Sequence, residues 1–442
     1  MNPAHVRQVP NRIVVPVADW FVVVAGLAFT TSILPILLAP GGGAEAGSPL
    51  VRGGYLALYA VSIALLIYAG AVPAVITRLP LLAAVLGWSV ASVFWSVAPT
   101  ETVERLIGLI GSSALGIFLG WHYRGGDVVR LLAWSMLWAV ALSAAAIVLV
   151  PSIGIDDSGG PWAGAWLGLH FHKNALGTTA ALGVLLLVFA LPEAGGWQRR
   201  LVFILGAALS LLLLAGSRST TSVLACGVGL VVAGGLLLVR SAPAFGFLAL
   251  LVVAVNVCVF AVLAVQLDLV HQMLAWLGKS ETLSSRVPLW QLTWLFAQDR
   301  FWLGYGYGVF WLPDLAWVDL IEARLRFVPF YSHNGILELW IGGGLVSVLL
   351  VAALYLLTLL RGLISFLRSG LEPESAFPLA FMAYLAAQNF SEATLLMRDD
   401  LSWIIFLSLA SRYGRLVSVR VRVRAPWRAF HVGGGIDAGA SR

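Results

Sequence analysis

Residues 286–302, RVPLWQLTWLFAQDRFW, sit inside the one long stretch, about 266–332, that a lipid bilayer could not accommodate. That stretch also holds a GYGYG turn at 304–308 and runs into YSHNGILELW at 331–340. Outward from it in both directions the chain is a succession of apolar runs. It is 60% hydrophobic and 11% charged, with mean hydropathy +0.93. A soluble chain of 442 residues has no interior large enough to hide that much apolar surface. The runs are about 18 to 25 residues long, as a bilayer-crossing helix requires. They are continuous and do not alternate, which argues against a β-barrel.

The expected fold is all-α: a polytopic integral membrane protein, one membrane domain over 1–442, with about twelve transmembrane helices. They fall near 17–38, 53–72, 79–98, 103–121, 128–150, 173–191, 201–216, 220–239, 244–265, 333–360, 376–396 and 401–417. The first run is too long for a signal-peptide core and no small-residue cleavage site follows it, so it is expected to remain as a span. Both termini are placed in the cytoplasm, because most of the 27 basic residues then lie on the inner side. The basic tail, 418–442, reads as a topology anchor and a tether to anionic lipid. The arginines are scattered between spans, so the net charge of +6 gives no nucleic-acid footprint. Cys226 and Cys258 lie inside apolar runs and read as packing residues.

With this orientation the unusual sequence collects outside. The 266–332 loop is expected to be partly helical. Ser285 would cap a helix with Pro288 in its first turn, and Trp290, Trp294, Leu295 and Phe301 would form an apolar face lying on the membrane interface.

The chemistry-bearing residues stand at the ends of spans. Arg218, in GSRST at 216–220, has apolar flanks on both sides, which suits an anion clamp or a snorkelling arginine on a tight turn. Ser217 and Ser219 add donors beside it. Arg286, at the start of a helix, attracts phosphate through both its charge and the exposed N–H groups. His333 opens the run after the loop, where a neutral imidazole can take a proton from a sugar hydroxyl; Asn334 and Glu338 follow it. Glu338 is either an orienting group or the partner of an arginine. HFHKN at 170–174 brings His170, His172, Lys173 and Asn174 to the start of another span, with Lys173 a second phosphate contact. No metal is expected there, since no third ligand is suitably spaced. Asn389 and Glu392 fall in or near the span 376–396, where a carboxylate is a site candidate or the structural partner of Arg398 or Arg218. Tyr305, Tyr307, Phe310 and Trp311 are possible stacking surfaces for sugars. The glycines between them lack the strand, helix and Lys-Ser/Thr of a phosphate loop. Nor is there an Asp-X-Asp pair to hold a metal against a nucleotide sugar. A lipid-linked diphosphate donor fits better, with arginines in place of metal at the leaving phosphate and no cofactor.

HKNALG, GSRSTT, SSRVPLW, GYGYGVFW, SHNGILELWIGGGLVSVLL and NFSEATLL, in this order, resemble the O-antigen ligase and polymerase superfamily, and most of all its bacterial exopolysaccharide polymerases. The likeness runs from FWSVAPTETVER to about residue 400. It implies a GT-C type enzyme of the bacterial inner membrane. Such enzymes pass a glycan from undecaprenyl diphosphate to an acceptor hydroxyl on the periplasmic face, with inversion and without metal. Arg218 and Arg286 match the family's diphosphate-gripping arginines, and His333 matches its candidate base. A flippase and a chain-length regulator are implied as partners beside the acceptor glycan or lipid A-core. Polymerase and ligase therefore share one chemistry. A secondary transporter is the rival of another class, but its ionisable groups would gather at mid-membrane, whereas these gather at the outer rim.

Overall fold

Proline and glycine punctuate the helices of this chain. The computed structural model describes residues 14–38, 48–160, 162–242, 244–246, 286–313, 315–325, 329–369 and 373–423. In order come α1 (Val14–Thr30), α2 (Ile33–Leu38), α3 (Pro49–Tyr68), α4 (Val72–Arg78), α5 (Pro80–Ala91), α6 (Pro99–His122), α7 (Gly125–Leu149) and α8 (Pro151–Gly154). Then follow α9 (Lys173–Phe189), α10 (Trp197–Gly216), α11 (Thr220–Ser241), α12 (Arg286–Asp299), α13 (Ala316–Leu325), α14 (Gly335–Arg368), α15 (Phe377–Asn389) and α16 (Leu401–Val423). Proline stands in the first turn of α3, α4, α5, α6 and α15, where its missing N–H costs no intrahelical bond. Among the described residues there is no strand, only one antiparallel bridge between Ile155 and Trp166.

Helix α6 is the centre. Most of its residues are buried, and it packs on α3 and α16. Gly116 and Gly120 permit the close approach: a Cβ at Gly116 would stand 2.6 Å from the Ile404 carbonyl, and one at Gly120 would collide with that of Ser408. Around this core α7, α9 and α10 pack together, α1 lies on α7, and α11 packs on α15 and α9.

Six described helices are long and apolar enough to cross a membrane: α3, α6, α7, α10, α11 and α14. The expected count of about twelve is larger for identifiable reasons. Residues Val17–Thr30, Pro80–Phe94 and Lys173–Phe189 are apolar but shorter. The expected span 244–265 lies almost wholly outside the described residues, as do Ser285, Cys258 and the tail beyond 423. The expected span 376–396 stops early. Asn389 ends α15 by folding its side chain over the next turn of chain, its Oδ1 accepting from the backbone N–H of Thr394 at 3.0 Å and Leu395 at 3.1 Å. Residues 390–400 are consequently not continuous helix.

The loop before α14 is anchored by a break inside that helix. Gly344 has φ 69° and ψ −175°, a conformation open in practice to glycine alone. The break frees the carbonyls of three successive residues. Ile341 accepts from Tyr305 N–H at 2.8 Å, Gly342 from Gly306 N–H at 3.1 Å, and Gly343 from the Trp88 indole at 2.8 Å. Broken backbone inside an apolar bundle needs such substitutes, since water cannot supply them. The expected helix within the 266–332 loop is present as α12, with a different buried face. Leu289, Thr293 and Ala297 point inward at helical spacing, while Trp294 and Leu295 are exposed.

Gly344→Ala is therefore expected to lower thermal stability in detergent by about 2 kcal/mol or more, through strain and a clash with the Trp302 carbonyl. Gly234→Ala in α11, where an added Cβ meets nothing, serves as the control and should leave the melting temperature within a degree or so. Equal melting temperatures for the two variants would show that the kink is not required.

Candidate functional site

Because α15 stops at Asn389, the carboxylate of Glu392 hangs in a non-helical segment yet is buried, with its side chain only 5% exposed. A buried carboxylate needs charged or hydrogen-bonding partners. Four reach it from three other parts of the chain. Arg286, the first residue of α12, places Nη2 at 2.9 Å from Oε1. Asn174, in the first turn of α9, donates Nδ2 to the same oxygen at 2.8 Å. On Oε2 the Tyr331 hydroxyl donates at 2.8 Å and His333 Nδ1 lies at 3.3 Å. Burial pushes the Glu392 carboxyl up, but His333, Arg286 and Tyr331 outweigh it and hold the group below its ordinary 4.5. It is ionised at neutral pH, so His333 Nδ1 must carry the proton it shares. In the neutral tautomer that this contact selects, Nε2 is the acceptor nitrogen.

The loop around His333 is tightly held. Its backbone lies in the left-handed region at φ 49°, an unfavourable place for a side chain. Glu338, one turn into α14, reaches back to accept from Ser332 N–H and Oγ, both at 2.8 Å, and from the Trp311 indole at 3.1 Å. Asn334 caps α14 by accepting from Ile336 and Leu337 N–H, and donates to the Phe390 carbonyl. Trp290 of α12 donates to the Ser332 carbonyl at 3.0 Å. The Tyr331 and His333 rings touch at a tilt of 44°, with centroids 4.2 Å apart.

Arg218 and Arg286 occupy unlike surroundings. Arg286 is largely committed: besides Glu392, its Nη1 donates to the Ser391 carbonyl at 2.8 Å and to Thr221 Oγ1 at 3.3 Å. Its Nε–H and one Nη2 hydrogen remain to face a ligand. Arg218 is exposed, and among the described residues its side chain makes one long hydrogen bond, to the Ala163 carbonyl at 3.4 Å. Its backbone is also left-handed, at φ 51°. Lys173, buried and 4.0 Å above the Trp162 ring, donates to the Arg218 carbonyl at 3.1 Å and so steadies that turn. Thr221 joins the two arginine segments, its hydroxyl 2.7 Å from that of Ser391.

Several expectations need correction. Glu392 pairs with Arg286 and not with Arg398 or Arg218. Of the two roles expected for Glu338, pairing with an arginine is not seen among the described residues; it fastens the loop. Ser217 is fully buried and spends its hydroxyl on the Leu214 carbonyl, so it belongs to the turn and not to a ligand. Tyr305 is 3% exposed, packed against Phe310 and Trp317 and bonded to Asp299 and the Phe296 carbonyl. Tyr307, Phe310 and Trp311 are buried too, so GYGYG is an internal turn and not a sugar platform. Its glycines at 304, 306 and 308 all have positive φ. His172 caps α9 through Nδ1, which accepts from Asn174 N–H at 3.2 Å. Burial holds its imidazole below the ordinary value. His170 lies inside, bonded to Thr30 and Thr179, and burial pushes it down to about 4. Asn174, Arg286, His333 and Glu392 are brought together. Sequence reasoning overlooked Tyr331 and Ser391 and gave Trp290 only an interfacial role; in an extended YSH segment, positions 331 and 333 share a side, which is a readable signal.

A family model described as O-antigen ligase matches residues 205–352, a window that includes Arg218, Arg286 and His333. The chain is also 26% identical over 318 residues to the exopolysaccharide production protein ExoQ of Rhizobium meliloti (strain 1021), covering 69% of this chain and 70% of that one. These matches support the O-antigen ligase/polymerase superfamily for this membrane protein.

Since Glu392 is held below 4.5, its contribution to stability is complete above that pH and is lost as the pH falls toward its lowered native value. The protein should therefore lose thermal stability below about pH 4.5. Glu392→Gln should already cost about 3 kcal/mol at neutral pH, because Arg286 is left without its counter-charge, and should flatten the acid limb. An unchanged acid limb in that variant would remove Glu392 as its source.

Proposed function

We propose that this protein is a glycosyltransferase of the bacterial inner membrane. It transfers an undecaprenyl-diphosphate-linked glycan to an acceptor hydroxyl on the periplasmic face, and polymerises exopolysaccharide or O-antigen repeat units. The observation that carries the proposal is the His333–Glu392 contact with Arg286 on the same carboxylate, and with the Arg218 turn tied to Arg286 and Ser391 through Thr221.

Each part has a physical task. Glu392 fixes the His333 tautomer, so Nε2 points its lone pair toward the acceptor. The acceptor hydroxyl gives its proton to Nε2 as its oxygen attacks the anomeric carbon. The bond from that carbon to the carrier phosphate breaks on the opposite side, inverting the configuration. The imidazolium that forms is stabilised by Glu392. The departing diphosphate gathers negative charge, which exposed Arg218 and the remaining N–H groups of Arg286 meet with charge-assisted hydrogen bonds. Positive charge already fixed at this site performs, without metal, the role a divalent ion plays in nucleotide-sugar enzymes. The left-handed backbones of Arg218 and His333 suit this assignment, since strain of this kind collects at functional positions. With both termini cytoplasmic, the site faces the periplasm.

Likeness to an exopolysaccharide production protein favours polymerisation. The O-antigen ligase match favours a second reading, delivery of the glycan to lipid A-core by the same chemistry. A flippase and a chain-length regulator are the partners the polymerase reading calls for.

His333→Ala and Arg218→Ala are expected to lower glycan transfer by about 10²-fold or more with the protein still in the membrane. Full transfer by either variant would end its assigned role. EDTA should leave turnover unchanged; loss restored by a divalent ion would replace the arginines as the source of leaving-group stabilisation. In a strain lacking this protein, accumulation of single-unit lipid carrier is expected, whereas long lipid-linked chains would establish the ligase reading instead.

A further inference from the structure

Two arginines at the same end of the bundle have no place in the transfer mechanism. Arg105 lies in the first turns of α6, half-buried, and its Nη1 donates to the Gly308 carbonyl. Arg398, exposed, lies against the same helix. Its Cδ is 3.3 Å from where a Cβ on Gly108, one turn beyond Arg105, would stand. Neither makes an ion pair with a carboxylate among the described residues. The nearby acids are otherwise engaged: Asp399 accepts from the Tyr59 hydroxyl at 2.7 Å, and Glu338 is taken up by Ser332 and Trp311. The two guanidinium charges repel each other, the carboxylates of Asp399, Glu338 and Glu101 offset that only in part, and an anion between the arginines relieves it further.

Residues next to the pair line a recess. Gly308, whose carbonyl Arg105 holds, Met397, the neighbour of Arg398, and Glu338 all line it. Arg218 lies elsewhere: its contacts are with the 163–173 segment.

We propose that Arg105 and Arg398 form a second phosphate site, which holds the phosphate-bearing acceptor while Arg218 holds the donor. This assignment rests on the proposed transfer reaction. It adds that the acceptor is recognised by its own phosphate and not by its sugars alone. Two sources share that chemistry, a lipid-diphosphate-linked glycan and a phosphorylated lipid core.

The test uses the full chain in nanodiscs with inorganic pyrophosphate as the probe. Two binding events are expected for the native protein. Arg398→Gln, or Arg105→Gln with Arg398→Gln, should remove one, and Arg218→Gln the other. A single event lost in Arg218→Gln would overturn the second site and leave the reaction standing. Two events that both survive Arg218→Gln while one is lost in Arg398→Gln would support the second site and count against the reaction. With donor in fixed excess, Arg398→Gln should raise the KM for one acceptor by about tenfold or more, with kcat and the donor KM unchanged. Arg398→Lys, which keeps the charge, should recover part of the loss. The acceptor affected, lipid-diphosphate glycan or phosphorylated lipid A-core, identifies the source. A rise in the donor KM alone, or no rise for either acceptor, would refute the assignment.

Discussion

A carboxylate cannot stay buried without partners, and the region around Glu392 is built to satisfy that requirement. Its two oxygens are met by an arginine, an amide, a phenol and an imidazole from segments far apart in sequence. Each partner is fixed in turn. Arg286 opens α12, Asn174 opens α9, and Tyr331 and His333 lie in a loop tied down by Glu338 and Trp290. Paired in this way, the charge becomes a device for setting which nitrogen of His333 is free.

Helix interruptions make this convergence possible. Where α15 ends at Asn389 the chain can turn inward and present Glu392. Where α14 breaks at Gly344, liberated carbonyls hold the GYGYG turn and through it the approach to the site. An uninterrupted apolar helix offers no such polar handles, because its backbone groups are all paired internally. The six long apolar helices supply rigidity, and the irregular segments between helices supply the chemistry. The two arginines differ in kind, one holding Glu392 and one exposed, which is the difference the proposed transfer uses.

Much of this was legible in the sequence, and the rest shows where reading a chain in one dimension ends. Apolar runs of bilayer length announce the all-helical class, and ionisable residues at their ends announce Arg218, Arg286, His333 and Glu392 as candidates. Span boundaries were less legible, because hydropathy continues through Phe390 and Leu395 although the helix does not. Which acid serves which base was illegible: Glu392 is six residues from Arg398 yet binds Arg286, more than a hundred positions away. Tyr305 misled for a related reason. An aromatic next to glycines suits a ligand platform as well as an internal turn, and the pairing of that turn with α14 decides between them.

The central claim is that ionised Glu392 holds a proton on Nδ1 of His333, so that Nε2 is the open nitrogen of the neutral tautomer. Nitrogen-15 NMR of histidine-labelled protein in nanodiscs, with His333 assigned by its substitution, reads that tautomer directly. A protonated Nδ1 with a bare Nε2 at neutral pH, lost in Glu392→Gln, is the expected result. A proton on Nε2 in the native protein would contradict the claim, since the nitrogen assigned to accept the acceptor's proton would already carry one.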